Sequence, residues 1–227
     1  MTTTLITGAN RGLGKETARQ LVAAGHTVYA GARDEVRGRA AANEVGARFV
    51  RLDVTDDASV AAAFAQIEVE GGLDVLVNNA GIGMVALNGP DALRVFDTNA
   101  VGIIRVTEAA LPLLKKSENP VVVNISSALG SFWANHEPSR PASHFAAIVY
   151  GASKAAVSML TVQYARAVPE VKFNAVEPGY TATELGGTKN ENGRAVEISA
   201  RTIVRMAAID KDGPTGTFQE DDGELGW

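Results

Sequence analysis

Short apolar runs alternate along this chain with longer stretches whose apolar residues recur every three to four positions. The strand-like runs are Thr3–Thr7, Thr27–Ala30, Arg48–Leu52, Leu73–Val77, Val121–Ser126, Val171–Val176 and, more weakly, Gly216–Gln219. Helical patterning fills the gaps. A first helix is expected from Gly12 to about Ala24, burying Leu13, Ala18, Leu21 and Val22, with Gly25 as its stop. A second opens at Asp34 and ends before Gly46. Asp56 caps a third that buries Val60, Ala63, Phe64 and Ile67. Longer helices are predicted over Asp91–Lys116 and Tyr150–Ala167. Several strands read as continuous apolar runs, the mark of a parallel sheet covered on both faces. The pattern predicts one α/β domain over residues 1–227: a Rossmann-like, doubly wound parallel sheet of about seven strands flanked by helices. Residues 131–147 break the pattern with Pro, Ser and aromatics, and are expected to form a functional loop.

Composition narrows the function classes. The chain has 227 residues, 46% hydrophobic and 21% charged, with a net charge of −5. Nothing basic dominates, so a general nucleic-acid binder is not expected. Cysteine is absent, which removes disulfides, thiolate nucleophiles and Cys-ligated zinc. His26, His136 and His144 are not spaced with carboxylates as metal ligands, and no metal is expected. No apolar run is long enough for a bilayer, and the first residues lack the pattern of a secretion signal. A cytoplasmic location is the expectation.

Two motifs carry chemistry on their own terms. Tyr150 and Lys154 stand four apart in a predicted helix, on one face. A phenol titrates near ~10, and a neighbouring ammonium favours its ionised form. Such a tyrosine can exchange a proton with a reacting oxygen. At the first strand-to-helix turn lies Thr7-Gly8-Ala9-Asn10-Arg11-Gly12-Leu13-Gly14. Its glycines let backbone amides approach an anion, and the helix N-terminus adds its dipole. The spacing is Gly-x-x-x-Gly-x-Gly. It is not a P-loop, because Glu16 follows Lys15 where a Ser or Thr would hold magnesium. Ser127 sits in Ile125-Ser126-Ser127-Ala128, not in the Gly-x-Ser-x-Gly elbow of a hydrolase.

Taken in order, Thr7–Gly14, Asn78-Asn79-Ala80-Gly81, Ser127 after an apolar strand, Tyr150-x-x-x-Lys154 and Pro178-Gly179 resemble the classical short-chain dehydrogenase/reductase family. Gly31–Gly38, Gly71–Val77 and Trp227 are similar to its carbonyl-reductase type. The resemblance implies that Tyr150 donates a proton to a carbonyl oxygen. It implies that Lys154 binds the nicotinamide ribose and lowers the tyrosine pKa, and that Ser127, with Ser126 as runner-up, stabilises the substrate oxygen. Asn99 matches the fourth catalytic member, which positions a water linked to Lys154; a purely structural role for this amide is the competing reading. Gly8, Asn10, Arg11, Gly12, Leu13 and Gly14 would cradle the cofactor. Asp53 and Val54 would flank adenine, Asn78 and Ala80 the adenosine ribose, with Gly81 allowing close approach. Pro178, Gly179 and Thr181 would meet the nicotinamide, and Thr183 the phosphate on its side.

Cofactor choice turns on the end of the second strand. An acid there selects NAD; an arginine fits a 2′-phosphate. By the resemblance Ala32 occupies the acid's place and Arg33 follows, with Arg11 as a second cation. Asp34 is read as a helix cap. NADP(H) is therefore expected. The implied activity is reduction of a ketone, aldehyde or quinone to an alcohol. The alternatives are an NAD-dependent alcohol dehydrogenase and, less favoured, an NADP-sensing regulator that does not turn over. A dehydratase or epimerase fits less well, because only 49 residues follow Pro178.

Substrate is to be set by the 131–147 loop and a short mobile lid at 184–194. The loop makes the Ser127–Tyr150 spacing of 23 positions longer than usual for the family. Phe132, Trp133, His144, Phe145, Met84 and Tyr180 either line an apolar pocket or anchor the loop. The loop also covers part of the surface through which relatives associate, so a monomer or homodimer is expected. Glu220–Glu224 reads as a solvated acidic tail with Trp227 as anchor.

Overall fold

The computed structural model describes residues 2–83, 86–185 and 192–227. Eight strands form one sheet in the order β3-β2-β1-β4-β5-β6-β7-β8. They are β1 (Thr3–Thr7), β2 (Thr27–Ala32), β3 (Arg48–Arg51), β4 (Val75–Asn78), β5 (Val121–Ile125), β6 (Lys172–Val176), β7 (Phe218–Glu220) and β8 (Gly223–Glu224). Every pairing is parallel except β7 with β8. The helices are α1 (Gly12–Ala23), α2 (Glu35–Val45), α3 (Asp57–Val69), α4 (Gly89–Phe96), α5 (Gly102–Leu114), α6 (Phe132–His136), α7 (Ile148–Ala167) and α8 (Val196–Ala207).

The continuous apolar strands serve two cores at once, because successive side chains leave opposite faces. Leu5, Leu76 and Val122 enter one core with Tyr29, Phe64, Ile67, Leu114 and Phe173. Their neighbours Ile6, Val77 and Val123 enter the other with Leu21, Ala42, Ile203 and Met206. Local signals set the helix ends. Asp34 caps α2 by accepting from the Arg37 amide at 2.9 Å, and Asp56 caps α3 through the Ala58 and Ser59 amides. Asn88 caps α4, with Pro90 in the first turn, where a missing N–H costs nothing.

Three features depart from the pattern. The long helix expected over Asp91–Lys116 is α4 and α5 joined by a π-helical turn at Asp97–Val101. Helix α8 was not anticipated. The acidic C-terminal stretch is not a solvated tail: it forms β7 and β8, with Leu225 buried and Trp227 stacked on Phe218 at 5.3 Å. Glu220 pairs with Arg140 and Asp221 with Arg194, so distant cations neutralise two of the acids that composition alone left to solvent, while Asp222 and Glu224 stay exposed. Among the described residues, no helix is long and apolar enough to cross a membrane.

Candidate active site

The strand order reverses between β1 and β4. In open α/β sheets that switch point opens a crevice at the carboxyl ends of the strands. The turns after β1, β2, β4, β5 and β6 bring the sequence-identified residues to that edge.

The β1 turn is built for close approach. Gly8 has φ +67°, and a Cβ there would lie 2.9 Å from Ala80 Cα. Gly14 has no room either: its Cβ would collide with Asn79 Nδ2. The Thr7 hydroxyl accepts from the Asn79 and Ala80 amides at 3.0 and 2.9 Å, and Asn79 returns a bond to the Thr7 carbonyl. These bonds fasten the turn after β1 to the turn after β4. Helix α1 begins here with Arg11 at its N-cap and no side chain capping its first amides. Uncapped amides at a helix start suit an anion. A dinucleotide pyrophosphate therefore fits the residues present.

Asn78 departs from its expected place. Its side chain is buried and donates to Asn124 Oδ1 at 2.9 Å and Thr107 Oγ1 at 3.2 Å. It serves the core, so only its backbone is left to meet a ribose. Val54 is buried against Gly102, and Asp53 accepts from the Thr55 amide and hydroxyl.

The two expected cations differ. Arg33 is exposed at the end of β2 and makes no ion pair among the described residues; its charge faces Asp53. Arg11 pairs with Glu184 at 2.7 Å. Asp34 is occupied by Arg37, which it both caps and pairs. Thr183 reaches the glycine turn, its Cγ2 being 3.5 Å from the Cβ position of Gly12, and Leu185 accepts from the Gly83 amide at 3.2 Å. The segment after β6 thus straps across the crevice. Thr181 bonds the Gly179 carbonyl and Ser199. Most of the expected lid (186–191) and Met84 lie outside the described residues.

Tyr150, Ser127 and Lys154 converge where β5 and β6 meet α7. Ser127 ends the strand and starts a 3-10 turn over Ala128–Gly130, its hydroxyl accepting from the Leu129 amide. Ser126 faces the other way, buried, bonded to the Lys154 carbonyl and Ser158. That geometry separates the two serines: Ser127 interacts with the Tyr150 phenol, and Ser126 packs α7 onto β5. Lys154 is 5% exposed, with Nζ donating to the Ile125 carbonyl at 2.6 Å and lying 5.6 Å from the Tyr150 ring centroid. Burial depresses its pKa to about 8, while the Glu177 charge works in the opposite sense.

The tyrosine corrects an expectation. Its pKa is raised, first by burial and then by the Glu177 carboxylate; the Ser127 contact opposes both. Lowering by Lys154 was expected, but desolvation favours the neutral phenol and the ammonium is held on the Ile125 carbonyl. Asn99, 1% exposed, lies in the π-helical turn, where one extra residue re-aims a side chain. It accepts from the Ile82 amide and donates to the Ile82 carbonyl and Ser153 Oγ. The Cβ position of Gly81 lies 3.3 Å from Asn99 Oδ1 and 3.8 Å from Lys154 Nζ, so the two side chains meet at this glycine.

The loop before Tyr150 is ordered by short helical turns. Trp133 is an anchor: Arg140 lies over its ring at 5.7 Å, Gly226 packs against it, and its amide donates to the Trp227 carbonyl. Phe132, Phe145 and Tyr180 remain exposed. His144 bonds the Pro138 carbonyl within the loop. Sequence reading passed over Glu177, whose carboxyl accepts from the Ala128 and Gly179 amides. The available signal was an acid between an apolar strand and Pro178-Gly179, where a charge must find buried partners.

The family model described as short chain dehydrogenase matches residues 2–194. An NADPH carbonyl reductase of Sus scrofa is 32% identical, over 98% of this chain and 93% of its own length. A (-)-isopiperitenone reductase of Mentha piperita is 30% identical, over 94% of each. The crystal structure of an NADPH-bound carbonyl reductase from chicken fatty liver superposes with a TM-score of 0.85 at 29% identity, covering 100% of this chain and 99% of that one. With its fold, its crevice and a family match running through most of its length, the chain belongs to the short-chain dehydrogenase/reductase family of oxidoreductases and is carbonyl-reductase-like.

Proposed function

We propose that this protein reduces a small ketone, aldehyde or quinone to its alcohol with NADPH. The observation that carries the proposal is the convergence of Tyr150, Ser127 and Lys154 at the same crevice edge as the uncapped start of α1. The names of the Sus scrofa and chicken relatives, which specify NADPH and carbonyl reduction, agree with it.

The bound nicotinamide would supply the hydride. The Gly8–Gly14 turn and the first amides of α1 hold the pyrophosphate. Arg33, with Arg11, would take the 2′-phosphate, and Lys154 would hold the nicotinamide ribose. Backbone around Pro178, Gly179 and Thr181 would border the nicotinamide ring. Ser127 donates a hydrogen bond to the carbonyl oxygen, and Tyr150 gives that oxygen its proton as negative charge develops there. At neutral pH the phenol is protonated and can act as the acid. Lys154, with a pKa of about 8, remains mostly charged at neutral pH. Asn99 holds the π-helical turn against Ile82 and Ser153 so that Lys154 and Gly81 keep their places. An NAD-dependent alcohol dehydrogenase is less well supported, because the Asp34 carboxylate is already spent on Arg37.

The test is consumption of NADPH, followed spectrophotometrically, against a panel of ketones, aldehydes and quinones, with NADH in parallel. Turnover of several carbonyls with NADPH favoured is expected. Absence of turnover with either nucleotide would overturn the proposal.

A further inference from the structure

The chain leaves β6 through Pro178-Gly179 and is caught again at Arg194. The Arg194 amide donates to the Tyr180 carbonyl at 2.9 Å, and the Ala182 amide donates to the Arg194 carbonyl at 3.0 Å. These bonds make a parallel bridge between Thr181 and Arg194. The Arg194 side chain then turns back under the same segment. Its guanidinium donates to the Pro178 carbonyl, to Ser199 Oγ through Nε at 3.0 Å, and to Asp221 Oδ2. Gly179 has φ +78°, and a Cβ there would lie 2.7 Å from Arg194 Cζ. The glycine therefore makes room for the arginine as well as for the turn. The Thr181 hydroxyl donates to the Gly179 carbonyl. A hydroxyl has a single proton, so the 2.7 Å bond between Ser199 and Thr181 runs from Ser199. Hydrogen bonds thus run without a break from Arg194 Nε through Ser199 and Thr181 to the Gly179 carbonyl.

We propose that Arg194 is a positioning residue for the nicotinamide end of the cofactor: anchored by Asp221, it latches the Pro178–Thr181 turn to the β7–β8 turn and to α8. The proposal rests on the reductase reading above, in which that turn borders the nicotinamide ring. The anchor is itself tied to α8. Asp221 takes the Thr202 hydroxyl on its other carboxyl oxygen, and Arg205 donates to the Glu220 carbonyl at 2.7 Å. The Arg194–Asp221 pair is partly exposed, so its charge attraction is screened. What the turn gains is the fixed fork of the guanidinium, which meets three acceptors in set directions. The Gly179 amide is held separately by Glu177 at 2.7 Å. Loss of Arg194 therefore frees the carbonyl side of the turn without undoing it. In the same reading the adenosine end is taken by the turns after β1 and β2, with β4 and β5 between them and β6.

The test is Arg194→Met, which keeps an apolar stem and removes the fork. Carbonyl reduction is measured at saturating NADPH, and adenosine 2′,5′-bisphosphate, which carries the adenosine end alone, is titrated separately. A nicotinamide held out of line slows hydride transfer, so kcat falls by about tenfold or more. The Kd of the bisphosphate stays within about twofold, because its site is distant from this turn. That split, with circular dichroism unchanged, supports the proposal, since a general loosening of the fold would weaken the bisphosphate too. A folded variant with the parent's kcat, or one that loses bisphosphate binding as steeply as kcat, overturns it. Should R194M fail to fold, Asp221→Asn answers instead. It keeps the size of the anchor, but an amide presents its oxygen to only one of Arg194 and Thr202. A kcat lowered several-fold with bisphosphate binding kept supports the proposal; the parent's kcat overturns it. Inactivity of the parent enzyme towards every carbonyl overturns the reductase reading and this proposal with it, a result distinct from an active enzyme whose variants show no split.

Discussion

Replacing Arg33 by methionine separates the cofactor argument from the fold. Arg33 is exposed and pairs with no acid among the described residues, so its loss breaks no internal ion pair and stability changes little. What it can lose is a charge-assisted, bidentate contact to a 2′-phosphate. Hydrogen bonds to charged groups are worth about 1.5–3 kcal/mol. Solvent screening at an exposed site favours the low end. Since about 1.4 kcal/mol is a factor of ten, the Kd for NADPH rises by about tenfold. Arg11 limits the loss, because it can still turn from Glu184 to the phosphate. NADH has no 2′-phosphate, so its Kd stays within about twofold. Fluorescence titration of both nucleotides against parent and Arg33→Met reads the difference directly. Equal losses for the two nucleotides, or none for either, would refute the assignment of Arg33 to the phosphate.

Two further outcomes concern the scaffold. Lys154 has a pKa of about 8 in the fold against an ordinary 10.5. Between these values the unfolded chain binds the extra proton, so stability from this group rises with pH, by roughly 2–3 kcal/mol from pH 8 to pH 10. The raised Tyr150 works oppositely only at higher pH, where the unfolded phenol ionises first. Urea midpoints across that range climb less in Lys154→Met than in the parent; parallel curves would contradict the burial assigned to Lys154. Trp227→Ala removes the stack on Phe218 at 5.3 Å and costs about 2 kcal/mol, the ring being partly exposed. Because the Trp227 carbonyl receives the Trp133 amide, hydrogen exchange quickens in the 131–147 loop as well; exchange confined to the last residues would contradict the coupling.

The fold was largely legible because each central strand serves two cores. Leu5-Ile6, Leu76-Val77 and Val122-Val123 leave no polar side to misplace. Helix starts were legible where an Asp cap sits one residue ahead of the pattern, as at Asp34 and Asp56. Helix α8 has the spacing of an amphipathic helix in Ala200, Ile203 and Ala207, but it follows a glycine-rich polar stretch that obscured its start. The π-helical turn at Asp97–Val101 left no mark, since one inserted residue does not break apolar periodicity. The tail was misjudged because two of its charges, Glu220 and Asp221, are paired with Arg140 and Arg194, distant in sequence. In the site, side-chain types and spacing pointed to Tyr150, Ser127 and Lys154. Asn78 was expected at the adenosine ribose, but its side chain belongs to a buried ladder with Asn124 that only tertiary packing shows. Glu177 escaped notice because its anchoring partners are backbone amides, which carry no sequence signal. The direction of the tyrosine shift escaped for a related reason: helix spacing reports the ammonium and not the burial that outweighs it.

The central claim is that Tyr150 delivers the proton. Tyr150→Phe keeps the ring beside Lys154 and removes only the hydroxyl. The measurement is single-turnover carbonyl reduction with NADPH, together with the Kd of NADPH for the variant. A rate lower by about 10²–10⁴, the usual worth of general acid catalysis, with NADPH binding within about twofold of the parent, is the predicted result. A phenylalanine variant that reduces the carbonyl at the parent's rate would contradict the account.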